Sequence, residues 1–318
     1  MSKKVLVTAL VFRRSPEALA KLKSAGYEVI LNPYDRPLQE HEMLDLMANV
    51  SGMIVGNDVV TEKVMAAGLP TLQIIAKSGA GYNNIDVAAA QSYGIPVTNT
   101  PGTNSKSVAD LTLGLILSLA RNIPQLNHTL HTGQWQKSVG VELEGKRLGI
   151  VGTGNIGGEV IKRASAFNME VVAYTTHPRQ DLVEKYRVRY LSLAKVISTA
   201  DFLSLHVPAL PDTIHMINKT TLRTMKSTAY LINTARGELV VEEDLYSALG
   251  QGIIAGAALD TFPQEPLQGS PLCNLSNVIL TPHIGASTGE ASQRVGIMAV
   301  EEVIRVLSGL APRNLVKQ

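Results

Sequence analysis

Short runs of β-branched and aliphatic residues alternate with amphipathic segments along almost the whole chain. The early runs fall at 5–8, 27–31, 53–55, 72–76 and 96–99, separated by helical patterns such as 17–24 and 41–49. A later series falls at 147–151, 170–174, 202–206, 229–233, 255–259 and 278–280. Strands that alternate with helices in this way predict parallel sheets. A single sheet of all these strands would be unusually wide. The pattern therefore predicts an α/β protein of two doubly wound domains, with five strands in one set and six in the other. An apolar segment at 105–120 precedes the second series, and a last helix over 289–307 follows it. We expect one domain of residues 1–101 with 288–318 and another of 102–287. Two crossovers between them would hinge a cleft that closes on a ligand. The segment 105–119 is apolar on more than one face, which predicts burial against a second copy of the chain.

Composition narrows the class. The chain has 318 residues, of which 45% are hydrophobic and 18% charged, enough to bury a sizeable core. Aromatics are only 4%, so aliphatic side chains must fill it, and the lone Trp135 is expected to pack there. Lysine and arginine exceed the acids by 29 − 27 = 2, with no strongly charged block, which argues against a nucleic-acid partner or a polybasic membrane surface. The single cysteine, Cys273, excludes an intramolecular disulfide and fits a reducing cytoplasm. The longest apolar stretch, 108–120, carries Asp110 and is too short to span a bilayer. The start, Ser2-Lys3-Lys4 before 5–12, lacks a small-residue cleavage site and reads as a buried first strand rather than a signal peptide. His128 and His131 lie near each other on a helical pattern, but no neighbouring acid or cysteine completes a set, so no metal is expected.

The strongest motif is Gly152-Thr153-Gly154-Asn155-Ile156-Gly157, which follows an apolar strand and opens a helix. That is the context a dinucleotide fingerprint requires. Gly152 permits the tight turn, Gly154 lets backbone approach a pyrophosphate, and Gly157 lets helix and strand pack closely. The next strand delivers Thr175 eighteen residues after Gly157, where an NAD site usually places an acid on the ribose 2′-hydroxyl. Here Thr175-Thr176-His177-Pro178-Arg179 has no acid before Asp181. A carboxylate would repel a 2′-phosphate, whereas Arg179 could pair with one. NADP is therefore favoured, with NAD possible.

Ligands in open α/β sheets sit outside the carboxyl ends of the strands. In the second set those ends carry Gly152, Thr175, His206-Val207-Pro208, Thr234-Ala235-Arg236, Asp260 and Pro282-His283. One arginine, one histidine and nearby acids suit hydride transfer to or from an anionic substrate, because the reaction needs a carboxylate partner and a group that exchanges a proton near neutral pH. His206 reads as part of the cofactor loop rather than as a second base.

The ordered series of the glycine turn, His206-Val207-Pro208, Asn233-Thr234-Ala235-Arg236-Gly237, Asp260 with Glu265-Pro266, and Thr281-Pro282-His283-Ile284-Gly285 resembles the D-2-hydroxyacid dehydrogenase family. The stretches 79–86 (GAGYNNID) and 99–102 (NTPG) are similar to its substrate-domain signatures. The resemblance implies a flavodoxin-like substrate domain, a Rossmann dinucleotide-binding domain and a homodimer built on the latter. It implies that Arg236 holds the substrate carboxylate, that His283 is the acid/base, and that Glu265 orients His283. It places Asp260 on the nicotinamide side, Gly285 among the cofactor contacts, and backbone N–H groups around Ser78-Gly79 on the carboxylate. Lys77, at a strand end, could meet a second anionic group on the substrate. The substrate class implied is a small 2-keto or D-2-hydroxy acid such as glyoxylate or hydroxypyruvate. Phosphoglycerate is the alternative. Phosphoglycerate enzymes of this kind often carry an arginine where this chain has Val55-Gly56-Asn57, and the end at Gln318 leaves no room for the regulatory domain many of them add. A second departure is Asp110, where the family often has Glu. A nucleotide-sensing corepressor-like binding protein is the rival from another class.

Overall fold

A computed structural model describes residues 2–316, which fall into two compact units, 2–104 with 287–316 and 105–286. The first unit holds five parallel strands: β1 (Lys4–Val7), β2 (Glu28–Leu31), β3 (Val50–Val55), β4 (Ile74–Lys77) and β5 (Val97–Thr98). Their order is β2-β1-β3-β4-β5. Every residue of β3 is buried, because helices cover both faces of the sheet. Helices Pro16–Ser24 and Gly289–Leu307 supply Leu22, Val300 and Val303 to one face. Helices Glu40–Leu46, Glu62–Ala67 and Val87–Ser92 supply Met43, Met65 and Ala90 to the other.

The second unit holds seven parallel strands: β6 (Arg147–Val151), β7 (Glu170–Tyr174), β8 (Arg189–Tyr190), β9 (Phe202–Leu205), β10 (Tyr230–Asn233), β11 (Gly256–Leu259) and β12 (Val278–Leu280). They run β12-β11-β10-β9-β6-β7-β8. Six strands were expected here; β8 has only two residues, too few to show any alternation. In each sheet the strand order reverses once, between β1 and β3 and between β6 and β9. The crevices outside those two points are where doubly wound sheets place ligands.

Helix Ser105–Arg121 departs from expectation. Ten of its residues are buried, but within their own unit, on helix Asn155–Ala166 and across β10 and β11. Its apolar faces are thus already covered. The uncovered apolar residues lie just beyond it, on helix Ile123–His131 and the extended stretch 134–142, where Ile123, Leu130, Trp135 and Val139 are exposed. Trp135 is 84% exposed and is not the packing residue expected. Among the described residues, no helix is long and apolar enough to cross a membrane.

Candidate active site

The glycine turn is shaped by backbone crowding. Gly152 has φ +97°, and a Cβ there would lie 2.6 Å from the His206 carbonyl oxygen and 2.8 Å from Val207. A Cβ on Gly157 would lie 2.1 Å from the Gly152 carbonyl oxygen. Gly154 is different: it is the N-cap of helix Asn155–Ala166, has no side chain to cap it, and a Cβ there would meet nothing within 4 Å. The first N–H groups of this helix, at Asn155, Ile156 and Gly157, therefore face an open approach, which fits the pyrophosphate of a dinucleotide. His206 closes the other side of the turn. Its Nε2 meets Ser204 Oγ at 2.9 Å, while Nδ1 is enclosed without a partner. Burial lowers its pKa to about 3, so the ring is neutral at physiological pH. The Pro208 carbonyl accepts from Thr213 Oγ1 at 2.6 Å, which pins the loop that follows.

The loop after β7 carries Thr175 to Arg179. The guanidinium of Arg179 forks onto Asp181, with Nε–Oδ1 at 3.1 Å and Nη2–Oδ2 at 2.7 Å. Its backbone N–H donates to the Tyr190 hydroxyl at 2.9 Å, and that hydroxyl donates to Thr153 Oγ1 at 3.3 Å. Tyr190 thus ties this loop to the glycine turn. Nothing in the sequence pattern singled it out, because it stands on the two-residue strand β8.

The ends of β10, β11 and β12 form one continuous set of contacts. After β10, Asn233 folds back, its Nδ2 donating to the Arg236 carbonyl at 2.8 Å and its Oδ1 accepting from Ala235 N at 3.1 Å. Thr234 Oγ1 meets Thr112 Oγ1 at 3.1 Å. A Cβ on Gly237 would lie 2.0 Å from the Phe262 carbonyl carbon, so the arginine loop lies directly on the loop after β11. That second loop carries Glu265, whose Oε1 accepts from Phe262 N at 3.0 Å and whose Oε2 meets His283 Nδ1 at 2.7 Å. An ionised carboxylate only accepts, so Nδ1 carries the hydrogen and Nε2 is left for a reacting oxygen. The His283 side chain is half exposed. Among the described residues, no cluster of histidine, cysteine or acidic side chains is placed to hold a metal.

The Asp260 carboxylate is engaged by the protein itself. Oδ1 accepts from Thr281 Oγ1 at 2.6 Å and Ile284 N at 2.9 Å, and Oδ2 accepts from Gly285 N at 2.8 Å. Asp260 is 1% exposed and holds the turn on which His283 adopts φ +51°. Gly285, in turn, spends its N–H on that carboxylate.

In the first unit, Ser78 N donates to the Val55 carbonyl at 2.8 Å, and Gly79 N to Thr100 Oγ1 at 2.8 Å. The Ser78 bond continues the parallel pairing of β3 and β4 past their ends, and the Gly79 bond reaches the loop after β5. Lys77 is buried, and its ammonium donates to the Gly56 and Ser78 carbonyls at 2.7 and 3.3 Å. These two bonds brace the ends of β3 and β4. A cavity of about 150 Å³ opens at this unit's own crevice, lined by residues that include Thr8, Leu10, Asn57, Asp58 and Ser78 and no lysine or arginine.

Residues 113–285 match the family described as D-isomer specific 2-hydroxyacid dehydrogenase, NAD binding domain. Over the whole chain, a glyoxylate reductase of Thermofilum pendens is 39% identical, covering 99% of this chain and 94% of the relative. A D-3-phosphoglycerate dehydrogenase of Methanocaldococcus jannaschii is 40% identical over 88% of this chain, but the chain spans only 54% of its length. A solved structure of a Thermus thermophilus protein superposes with a TM-score of 0.90 at 37% identity, covering 99% of this chain and all of the other. With the glycine turn, the arginine loop and the histidine–glutamate pair carried in order on one seven-stranded sheet, the chain belongs to the D-isomer specific 2-hydroxyacid dehydrogenase family, as an oxidoreductase with an NAD-binding domain.

Proposed function

We propose that this protein reduces a small unphosphorylated 2-keto acid, glyoxylate or hydroxypyruvate, to the D-2-hydroxy acid, with NADPH favoured over NADH. The observation that carries the reading is the His283–Glu265 pair at 2.7 Å, set beside the arginine loop. The Arg236 fork holds the substrate carboxylate, because a planar guanidinium matches it bidentately. The bound dinucleotide supplies the hydride to C2. Protonated His283 gives its Nε2 proton to the carbonyl oxygen, and Glu265 holds the ring by its Nδ1 hydrogen. Gly152, Gly154, Asn155, Ile156 and Gly157 cradle the pyrophosphate, while His206, Val207 and Pro208 wall the cofactor. Thr175 presents no carboxylate to a 2′-phosphate, and Arg179 is the cation beside it.

The test is a panel of 2-keto acids, with 3-phosphoglycerate in the oxidative direction, against NADPH and NADH, followed at the nicotinamide absorbance band. Glyoxylate or hydroxypyruvate turnover is expected. Turnover of 3-phosphoglycerate alone, or of nothing, refutes the reading. The cytoplasm is the proposed location, on the strength of the single cysteine. We also place a homodimer contact on the exposed apolar arm with Ile123, Leu130, Trp135 and Val139. Sedimentation should give twice the 34.1 kDa chain mass, and Trp135→Glu should give the monomer.

A further inference from the structure

We propose that Asp181 sets the cofactor preference of the dinucleotide site by competing with a 2′-phosphate for Arg179. This rests on the reading above that the adenosine end of the dinucleotide lies along 175–179. Arg179 is already engaged. Its backbone is anchored by the Tyr190 hydroxyl at 2.9 Å, and its Nη1 lies 2.9 Å from where a Cβ on Gly158 would stand, over the first turns of helix Asn155–Ala166. The rest of the fork is closed on Asp181 by two hydrogen bonds, at 3.1 and 2.7 Å. The Asp181 carboxyl is held below its usual range by that arginine, so it is charged at neutral pH. Binding a 2′-phosphate therefore requires Arg179 to leave a carboxylate, and the phosphate then stands near that carboxylate's negative charge. Binding an unphosphorylated ribose requires neither. Asp181 thus lowers the advantage that Arg179 gives to NADPH and keeps NADH usable. Both side chains are nearly half exposed, so the pair is a weak one that a phosphate can displace.

The experiment is calorimetric titration of the wild type, Asp181→Asn and Arg179→Ala with two probes, 2′,5′-ADP and 5′-AMP, which differ only in the 2′-phosphate. Asp181→Asn should tighten 2′,5′-ADP by roughly two- to fivefold, the weight of one partly exposed charge pair, and leave 5′-AMP nearly unmoved. Arg179→Ala should weaken 2′,5′-ADP alone. If Arg179→Ala weakens 2′,5′-ADP but Asp181→Asn leaves it unchanged or weaker, Asp181 is no competitor and this inference falls while the NADPH reading stands. If Arg179→Ala leaves 2′,5′-ADP unchanged, the NADPH reading falls and takes the inference with it.

Discussion

Gly237 is the hinge on which the arginine loop and the acid/base pair depend, and its replacement by alanine is the sharpest test of the site. A Cβ there would stand 2.0 Å from the Phe262 carbonyl carbon, 2.2 Å from Pro263 N and 2.5 Å from Phe262 Cα. All three are backbone atoms, so no rotamer change relieves the clash. Ordinary contact begins at 3.4 Å, so the two loops must part by about 1.4 Å. Overpacking of this kind costs roughly 1–3 kcal/mol, occasionally more. The movement does not stay local. Phe262 N holds Glu265 Oε1 at 3.0 Å, and Glu265 holds His283, so a shift of Phe262 carries the pair away from Arg236. Misplacing reacting groups by about 1 Å can cost on the order of 10²-fold in rate. Gly237→Ala should therefore lower the urea midpoint by that free energy and cut keto-acid turnover about a hundredfold. Gly114→Ala is the control. It lies within helix Ser105–Arg121, a Cβ there meets nothing within 4 Å, and the change should stabilise the fold by about 0.5–1 kcal/mol without touching turnover. A Gly237→Ala protein with wild-type stability and turnover would show that the two loops are not coupled as described.

Three further outcomes follow from the same geometry. His283→Ala should lower kcat by about 10²–10⁴-fold with little change in NADPH affinity by nicotinamide fluorescence; equal losses in both would mean the ring serves the cofactor. Asp260→Asn turns an N–H toward the donors at Thr281 or Gly285, which should cost about 1–3 kcal/mol and speed amide exchange at Ile284 and Gly285; unchanged exchange would remove Asp260 as the organiser of the His283 turn. The third concerns His206, whose folded pKa of about 3 lies below its ordinary 6.5, so the unfolded chain takes up the proton first as pH falls. The stability tied to the neutral ring is complete above pH 6.5 and is lost progressively toward pH 3. At pH 5 the loss is about 2 kcal/mol at most, since part of the residue remains at the surface. His206→Gln should flatten the dependence of the urea midpoint between pH 7 and pH 5, and a curve as steep as the wild type's would assign that dependence to other groups.

The alternation of apolar runs and amphipathic segments was enough, by itself, to specify two doubly wound sheets, because a strand buried on both faces must be apolar throughout and its covering helices must be apolar on one side. The same holds for Gly152 and Gly157, whose spacing reports backbone crowding that no other residue tolerates, while Gly154 between them leaves the helix N-terminus open to approach. His283 and Glu265 were readable as a pair only through the ordered motifs around them, and the 2.7 Å contact is a property of two loops brought side by side. What the chain alone did not determine is where each polar group at a strand end directs its hydrogen bonds. Asp260, Lys77 and Gly79 stand where ligand contacts belong, yet each is engaged by a neighbouring turn. Asp181 and Tyr190 gain their roles only because the fold sets them against Arg179. A residue's type and spacing state what it can donate or accept. Only the packing of one loop on the next decides whether a protein group has already taken it, since an enclosed N–H or carboxylate must find its partner within reach.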